Sequence, residues 1–174
     1  MEFVIDTAEA LGIDDDEISA LLAQVYVADG HATTEEAAIL FAPTAVRERG
    51  VLLGAREQQH GALAGMIILV PPDSPARRIA QDNEAELHLL GVRADYRRDG
   101  LGRLLVETAI GLATENDYSK IILWTQHSMK PAQRLYESVG FVYRSELKRN
   151  GRNFKVYERE SCEYTGRTVC KTMR

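Results

Sequence analysis

The stretch Arg97-Arg98-Asp99-Gly100-Leu101-Gly102-Arg103 sets two glycines among three arginines. Ahead of it, Glu84 to Arg93 reads as a strand; behind it, Leu101, Leu104, Leu105, Thr108 and Leu112 recur at helical spacing. A strand-to-helix turn of this composition can hold an anion. Glycine lets the backbone come close, and the first N–H groups of a helix lack internal partners and carry partial positive charge. A pyrophosphate suits such a place, and the arginines add charge that a purely structural turn does not need. The loop is not a Walker A sequence, because the Gly-Lys-Ser/Thr ending is missing, and it lacks the third glycine of the dinucleotide fingerprint. Since many turns use glycine for geometry alone, further residues must decide its chemistry.

Arg97-x-x-Gly100-x-Gly102, after a strand ending Leu90-Gly91-Val92, resembles the coenzyme A signature of the GNAT acyltransferases. Leu135-Tyr136-Glu137 followed by Gly140-Phe141 is similar to the family's helix-to-strand ending, and Glu84 to Phe141, about a third of the chain, matches its central core in order and spacing. The resemblance implies one α/β (α+β) domain over residues 1–174, with a mixed, mostly antiparallel, splayed central sheet flanked by helices. It implies acetyl-CoA (coenzyme A) as cosubstrate, its pantetheine arm pairing with the strand at Leu90, Gly91 and Val92. Its pyrophosphate would meet Arg97, Arg98, Asp99, Gly100, Leu101, Gly102 and Arg103. The implied activity is N-acetylation, by direct transfer to a primary amine of a small molecule or protein.

Such a transfer needs a neutral amine, so some group must take its proton, and the departing thiolate profits from a donor. Glu86 is placed first as acceptor. It stands six residues before Val92, roughly 20 Å along a strand, a distance comparable with an extended pantetheine arm. Its position fourteen residues before Gly100 resembles that of the glutamate base in the family's histone-acetyltransferase members. Alternation puts Glu84, Glu86 and His88 on one face until a bulge intervenes, so Glu84, His88 and a water chain remain alternatives; the ordinary pKa of histidine suits proton shuttling. Tyr136 is the thiolate's donor by its resemblance to the family tyrosine. On the residues alone it shares an apolar stripe with Ala132, Leu135 and Val139 and reads equally as a core tyrosine. Met129 stands where many family members carry asparagine, and Trp124, the only tryptophan, is a candidate wall of the acceptor pocket.

The supporting elements follow from local patterns. Asp14 to Asp16 precede Ile18, Leu21, Leu22 and Val25, an acid-capped helix with one apolar stripe. Thr33 and Glu36 form a capping box before a shorter helix. Val51 to Ala55 and Leu63 to Val70 form a hairpin around the turn at Gln58 to Gly61. Pro71-Pro72-Asp73-Ser74-Pro75 is a stiff loop, and Gly91 hints at a bulge or close approach in the strand after it. Ser119 to Thr125 reads as a buried strand, Pro131 to Gly140 as a helix, and Phe141 to Leu147 as a closing strand. Its partner is Phe154 to Tyr157 or Thr168 to Met173, and the tail from 161 to 174 is otherwise unassigned.

Composition sets the outer bounds. Twenty-one bases against 26 acids give a net charge of −5, so phosphate attraction offers no general reason to expect nucleic acid. Acids near the cleft, Asp82, Glu84, Glu86 and Asp95, suit a cationic amine. With no apolar run of membrane-spanning length and no basic residue from Met1 to Ala10, a cytoplasmic protein without membrane contact is expected. Cys162 and Cys170 do not suggest a disulfide framework or zinc knuckle, and His31, His60 and His127 show no ligand spacing, so no metal is expected. Pairing of C-terminal strands would allow a homodimer. The alternative to an enzyme is a non-catalytic module that senses acetyl-CoA or serves assembly.

Overall fold

A computed structural model of the chain describes residues 2–161. Its strands are β1 (Phe3–Thr7), β2 (Val51–Glu57), β3 (Leu63–Val70), β4 (Glu84–Val92), β5 (Lys120–Gln126), β6 (Val142–Arg149) and β7 (Arg152–Glu160). They form one sheet in the order β1-β2-β3-β4-β5-β7-β6, antiparallel throughout except between β4 and β5. Helices α1 (Asp15–Leu22), α2 (Thr34–Leu40), α3 (Pro43–Arg47), α4 (Leu101–Glu115) and α5 (Lys130–Ser138) cover its faces. The mixed, mostly antiparallel, helix-flanked sheet expected from the sequence is therefore present.

β3 explains the layering. All eight of its residues are buried, so it reads as an unbroken apolar run because helices cover both sides. On one face Leu101, Leu105, Val106, Ala109 and Ala113 of α4 pack with Leu53, Ile67, Leu87 and Ile121. On the other, Ile18, Leu21 and Leu22 of α1 pack with Leu52, Met66, Ile68 and Val70. Asp14 and Glu17 close the first turn of α1 with a reciprocal capping box, as do Thr33 and Glu36 at α2. Beyond Leu22 the first helix continues as a π-helical segment, Ala23–Ala28, which carries Tyr26.

Two irregularities open the sheet. β4 and β5 pair only from Glu84↔Lys120 to Glu86↔Ile122, and then diverge. Opposite β3, Ile68 pairs with His88 and Met66 with Gly91, so Ile67 faces both Leu89 and Leu90. That is a bulge, and Leu89 adopts φ 52 to make it. The sequence hint at Gly91 lay two residues too late. The close approach belongs to Gly65, where a Cβ would lie 2.9 Å from the Gly91 carbonyl; at Gly91 itself a Cβ would make ordinary contact with Val25 at 3.4 Å.

The closing strand's partner is β7, which inserts between β5 and β6. It extends the Phe154 to Tyr157 choice on both sides. Thr168 to Met173, and both cysteines, lie outside the described residues. Sequence patterns did not locate β1 or α3, short elements of five residues each. Among the described residues no helix is long and apolar enough to cross a membrane.

Glycine substitutions separate close approach from helix propensity. Gly65→Ala meets the Gly91 carbonyl at 2.9 Å and Leu105 at 3.0 Å, and backbone cannot yield cheaply; a loss of about 1–3 kcal/mol is expected. Gly111→Ala, in open space within α4, should stabilise by up to about 1 kcal/mol. Urea denaturation of both variants measures this, and equal responses would contradict the tight β3–β4 contact.

Candidate active site

The N-terminus of α4 differs from those of α1 and α2. Gly100 precedes it at φ 78, and no side chain accepts a hydrogen bond from its first amides. Arg98 also takes a left-handed conformation, φ 76. Two of the arginines have structural tasks. Arg97 donates to the Val92 carbonyl at 3.0 Å and to the Asp29 carboxylate at 2.6 Å, tying the loop to β4 and to the residue after the π-helical segment. Arg103 pairs with Glu107 at 3.3 Å and donates to Ser138 at 2.9 Å. Arg98 forms no ion pair among the described residues and is exposed. Gly102 lacks a side chain for packing: a Cβ there would lie 3.2 Å from Leu135 of α5. What remains for an anion is the uncapped helix mouth and the Arg98 charge.

Beyond Glu86 the side of β4 that faces β5 has no strand partner among the described residues, so the backbone around Leu90 and Val92 borders the splay. A cavity of about 240 Å³ occupies this region, with Tyr136, His88, Trp124 and Tyr26 in its lining. Tyr26 donates its hydroxyl to the Leu90 carbonyl at 3.0 Å. Tyr136 packs against Phe141 and Tyr157, ring centroids 5.9 and 6.5 Å away. Burial pushes its hydroxyl pKa well above the ordinary phenol value, and the Tyr26 hydroxyl adds to the push. The proton therefore stays on Tyr136 at neutral pH.

Glu86 has no exposed surface and does not line the cavity. One carboxylate oxygen accepts the backbone amides of Arg78, Ile79 and Ala80 at 2.8, 2.5 and 2.7 Å. The other lies 2.7 Å from Nε2 of His88. Burial pushes the carboxyl pKa up, but the His88 bond and the three amides outweigh it and hold it below the usual value. An ionised Glu86 accepts, so His88 carries its proton on Nε2. Nδ1 then holds a lone pair, and it is buried without a partner among the described residues. Burial lowers the imidazole pKa; Glu86 opposes this, while the charges of Arg49 and Arg78 reinforce it, and the net shift is downward. His88 is thus a neutral imidazole at pH 7, with a fixed tautomer and its ring edge-on to Trp124 at 4.8 Å.

The sequence placed Glu86 before His88 as the group facing the amine; the fold directs Glu86 into a loop and presents His88 to the cavity. Glu84 accepts the Gln81 amide at 2.8 Å. Trp124 lines the cavity as anticipated, and Met129 does too. The expectation of an acidic cleft is corrected. Asp82 pairs with Arg77 and Asp95 with Arg93, and neither borders the cavity. Its charged lining is Arg49, Arg78, Arg149 and Arg152 against Glu36 alone. Sequence reasoning missed these arginines and Tyr26, which share no motif; only the stripe running from Leu22 and Val25 pointed toward Tyr26.

The profile of the acetyltransferase (GNAT) family matches residues 16–141. The chain belongs to the GNAT family of acetyltransferases. The match begins in α1, well before the Glu84 to Phe141 core that the sequence suggested. N-acetyltransferase 8 of Homo sapiens is 32% identical over 107 residues, 62% of this chain and 43% of that protein. N-alpha-acetyltransferase 30 of Homo sapiens is 39% identical over 69 residues, 40% of this chain and 17% of that protein. The chain thus spans less than half the length of these curated relatives. An acetyltransferase of Bacillus subtilis, solved in complex with CoA, shares the GNAT fold with a TM-score of 0.66 at 19% identity, over 91% of this chain and 99% of that one.

The tautomer is directly measurable. Nitrogen-15 spectra of the four histidines should show one imidazole protonated on Nε2 alone at pH 7, its signal lost in His88→Ala. Because the pKa is depressed, that form should persist below the ordinary midpoint of about 6.5 and protonate only in more acid solution. An Nδ1–H tautomer for His88 would contradict the arrangement.

Proposed function

We propose that this GNAT chain transfers the acetyl group of acetyl-CoA directly to a primary amine, with His88 accepting the amine proton, Glu86 positioning His88, and Tyr136 protonating the departing thiolate. The observation that carries this reading is that neutral His88 lines the cavity while its buried Nδ1 has no partner among the described residues. Acetyl-CoA supplies the activated acetyl thioester. The uncapped mouth of α4 with Gly100 and Leu101, and the charge of Arg98, suit its diphosphate, while the unpaired side of β4 at Leu90 to Val92 suits its amide-bearing arm. The relative solved with CoA has the same fold, which supports the placement.

The step balances within the chain's own residues. The amine nitrogen bonds to the thioester carbonyl carbon, the carbon–sulfur bond breaks, His88 Nδ1 takes a proton from nitrogen, and Tyr136 gives its proton to sulfur. His88 gains what Tyr136 loses, so proton exchange between them through solvent restores both. A neutral imidazole is the competent base, and the high proton affinity of Tyr136 keeps it a donor.

Glu86→Gln tests the positioning role. Three amides require an oxygen at the Arg78 to Ala80 side, so the glutamine must turn its NH₂ toward His88. That forces Nε2 to accept and moves the histidine proton to Nδ1, removing the base while leaving the helix mouth untouched. Turnover in a thiol-release assay should fall by about 100-fold or more, with CoA affinity by calorimetry within about threefold. His88→Ala should fall comparably, and Tyr136→Phe by about 10- to 100-fold. Wild-type kcat should be full at pH 7 and decline only below about 6.5 as His88 protonates. Gly100→Asp puts a carboxylate in a left-handed position at the helix mouth and should weaken CoA binding at least about tenfold. Wild-type rates in either Glu86→Gln or His88→Ala would remove His88 from the chemistry. CoA binding with no acetylation of any amine would instead identify the non-catalytic module.

A further inference from the structure

Arg49 and Arg78 line the cavity together with His88. Arg49, half-buried, donates to the Leu40 carbonyl at 2.5 Å; Arg78, exposed at the cavity, donates to the carbonyls of Pro75 and Arg77 at 3.0 and 3.2 Å. Neither pairs with a carboxylate among the described residues, whereas Arg152, also in the lining, pairs with Glu36 at 2.9 Å. Burial and the neighbouring Arg78 charge both disfavour the Arg49 cation, and both arginines disfavour a cation on His88. Two guanidinium groups thus face one space beside a neutral imidazole and repel each other, an arrangement that an anion between them would stabilise.

A single loop holds the pair in place. Its backbone at Arg78 to Ala80 is fastened to Glu86, and Ser74, earlier in it, donates to the Arg49 carbonyl at 2.7 Å. This loop packs Ile79 and Ala80 against Ile122, on the sheet face opposite α4. The uncapped mouth of α4 and its arginines are therefore a separate charge centre from Arg49 and Arg78. Tyr26 and Phe41, with rings 5.1 Å apart, and Trp124 give the same cavity apolar walls.

From this juxtaposition we infer that the acceptor amine is a small molecule carrying a carboxylate close to its amino group, as in a free α-amino acid, with Arg49 and Arg78 holding the carboxylate. The inference rests on His88 as the proton acceptor: an amine beside Nδ1 and a carboxylate beside the arginines must belong to one compact molecule. Guanidinium groups match a planar carboxylate by paired hydrogen bonds. The aromatic walls favour an apolar side chain. Polyamines lack the anion and would bring further positive charge to the two arginines.

The test compares the twenty proteinogenic L-amino acids with their carboxamides as acceptors for acetyl-CoA. The acids should exceed their amides in kcat/KM by roughly 10- to 100-fold for the preferred side chains, the difference residing mainly in KM. In Arg49→Met, and separately in Arg78→Met at its exposed position, the acid-to-amide ratio should collapse toward one. Binding without turnover is read from Trp124, the only tryptophan: N-acetyl-L-phenylalanine and N-acetyl-L-leucine should perturb its fluorescence at concentrations at least about tenfold lower than their amides do, and this advantage should vanish in both variants. Amides or simple amines acetylated as well as the acids would overturn the carboxylate site and leave acetyl transfer standing. Selective carboxylate binding with no acid or amine acetylated would overturn the transfer reading and keep the site. Equal binding of acid and amide forms would overturn the site whatever the turnover.

Discussion

The charge on Glu86 organises the molecule's centre. A carboxylate with no exposed surface is costly to bury, and it persists only because four donors converge on it. Hydrogen bonds to a charged group contribute about 1.5–3 kcal/mol each, enough together to offset much of that desolvation. The donors come from two places, three from the backbone of the loop before β4 and one from His88 two residues along the strand. Because the partners are shared, fixing one fixes the others. The loop lies down over Ile122, Arg78 reaches the cavity, and the imidazole has a single tautomer.

That arrangement depends on a sheet that stops pairing at the right residue. Glu86 is the last β4 position matched with β5, and His88 the last matched with β3 before the bulge. Leu87 therefore still packs beneath α4 while His88 faces the opening. The left-handed Leu89 then resets the alternation, so Leu90 and Val92 return to the α4 side. A non-glycine residue in that conformation costs on the order of 1 kcal/mol. Strand β3 stabilises the distorted segment by lying close at Gly65, where a side chain would strike the Gly91 carbonyl. Strain, splay and base thus occupy one short stretch of chain, the pattern expected when a sheet gives up regularity to make a site.

What the sequence disclosed was what local chemistry dictates. The acid-capped start of α1, the Thr33–Glu36 capping box, the β2–β3 hairpin, the loop ahead of α4 and the proline-led α5 appear where their residues placed them. Order along the strand rather than contact brought Glu86 and His88 to notice, and alternation put them on one face, where they touch. Which of them meets the cavity was illegible, because that depends on amides of residues 78–80 folding back onto Glu86, and amides have no side-chain signature. The position of β7 between β5 and β6 was hidden for a similar reason: a hairpin returns to the sheet by long-range pairing. Arg49 and Arg78 come from a turn before β2 and a loop before β4, and only the tertiary fold makes them neighbours.

Acids expected near the cleft pointed toward a cationic acceptor, while the cavity lining is cationic. Near groups decide this conflict. Surface acids are screened over about 10 Å at ordinary ionic strength, and several are already paired, as Asp82 is with Arg77 and Asp95 with Arg93. The half-buried Arg49 and its neighbour Arg78 line the same cavity as His88. Their charges help keep the imidazole deprotonated. A carboxylate seated on them would offset that influence while burial, the largest cause, still opposes Glu86, so the proton affinity of His88 rises only partway toward its ordinary value when an acceptor is in place. The base is then strongest when there is an amine proton to take. The same two arginines that would select the substrate would also time its deprotonation.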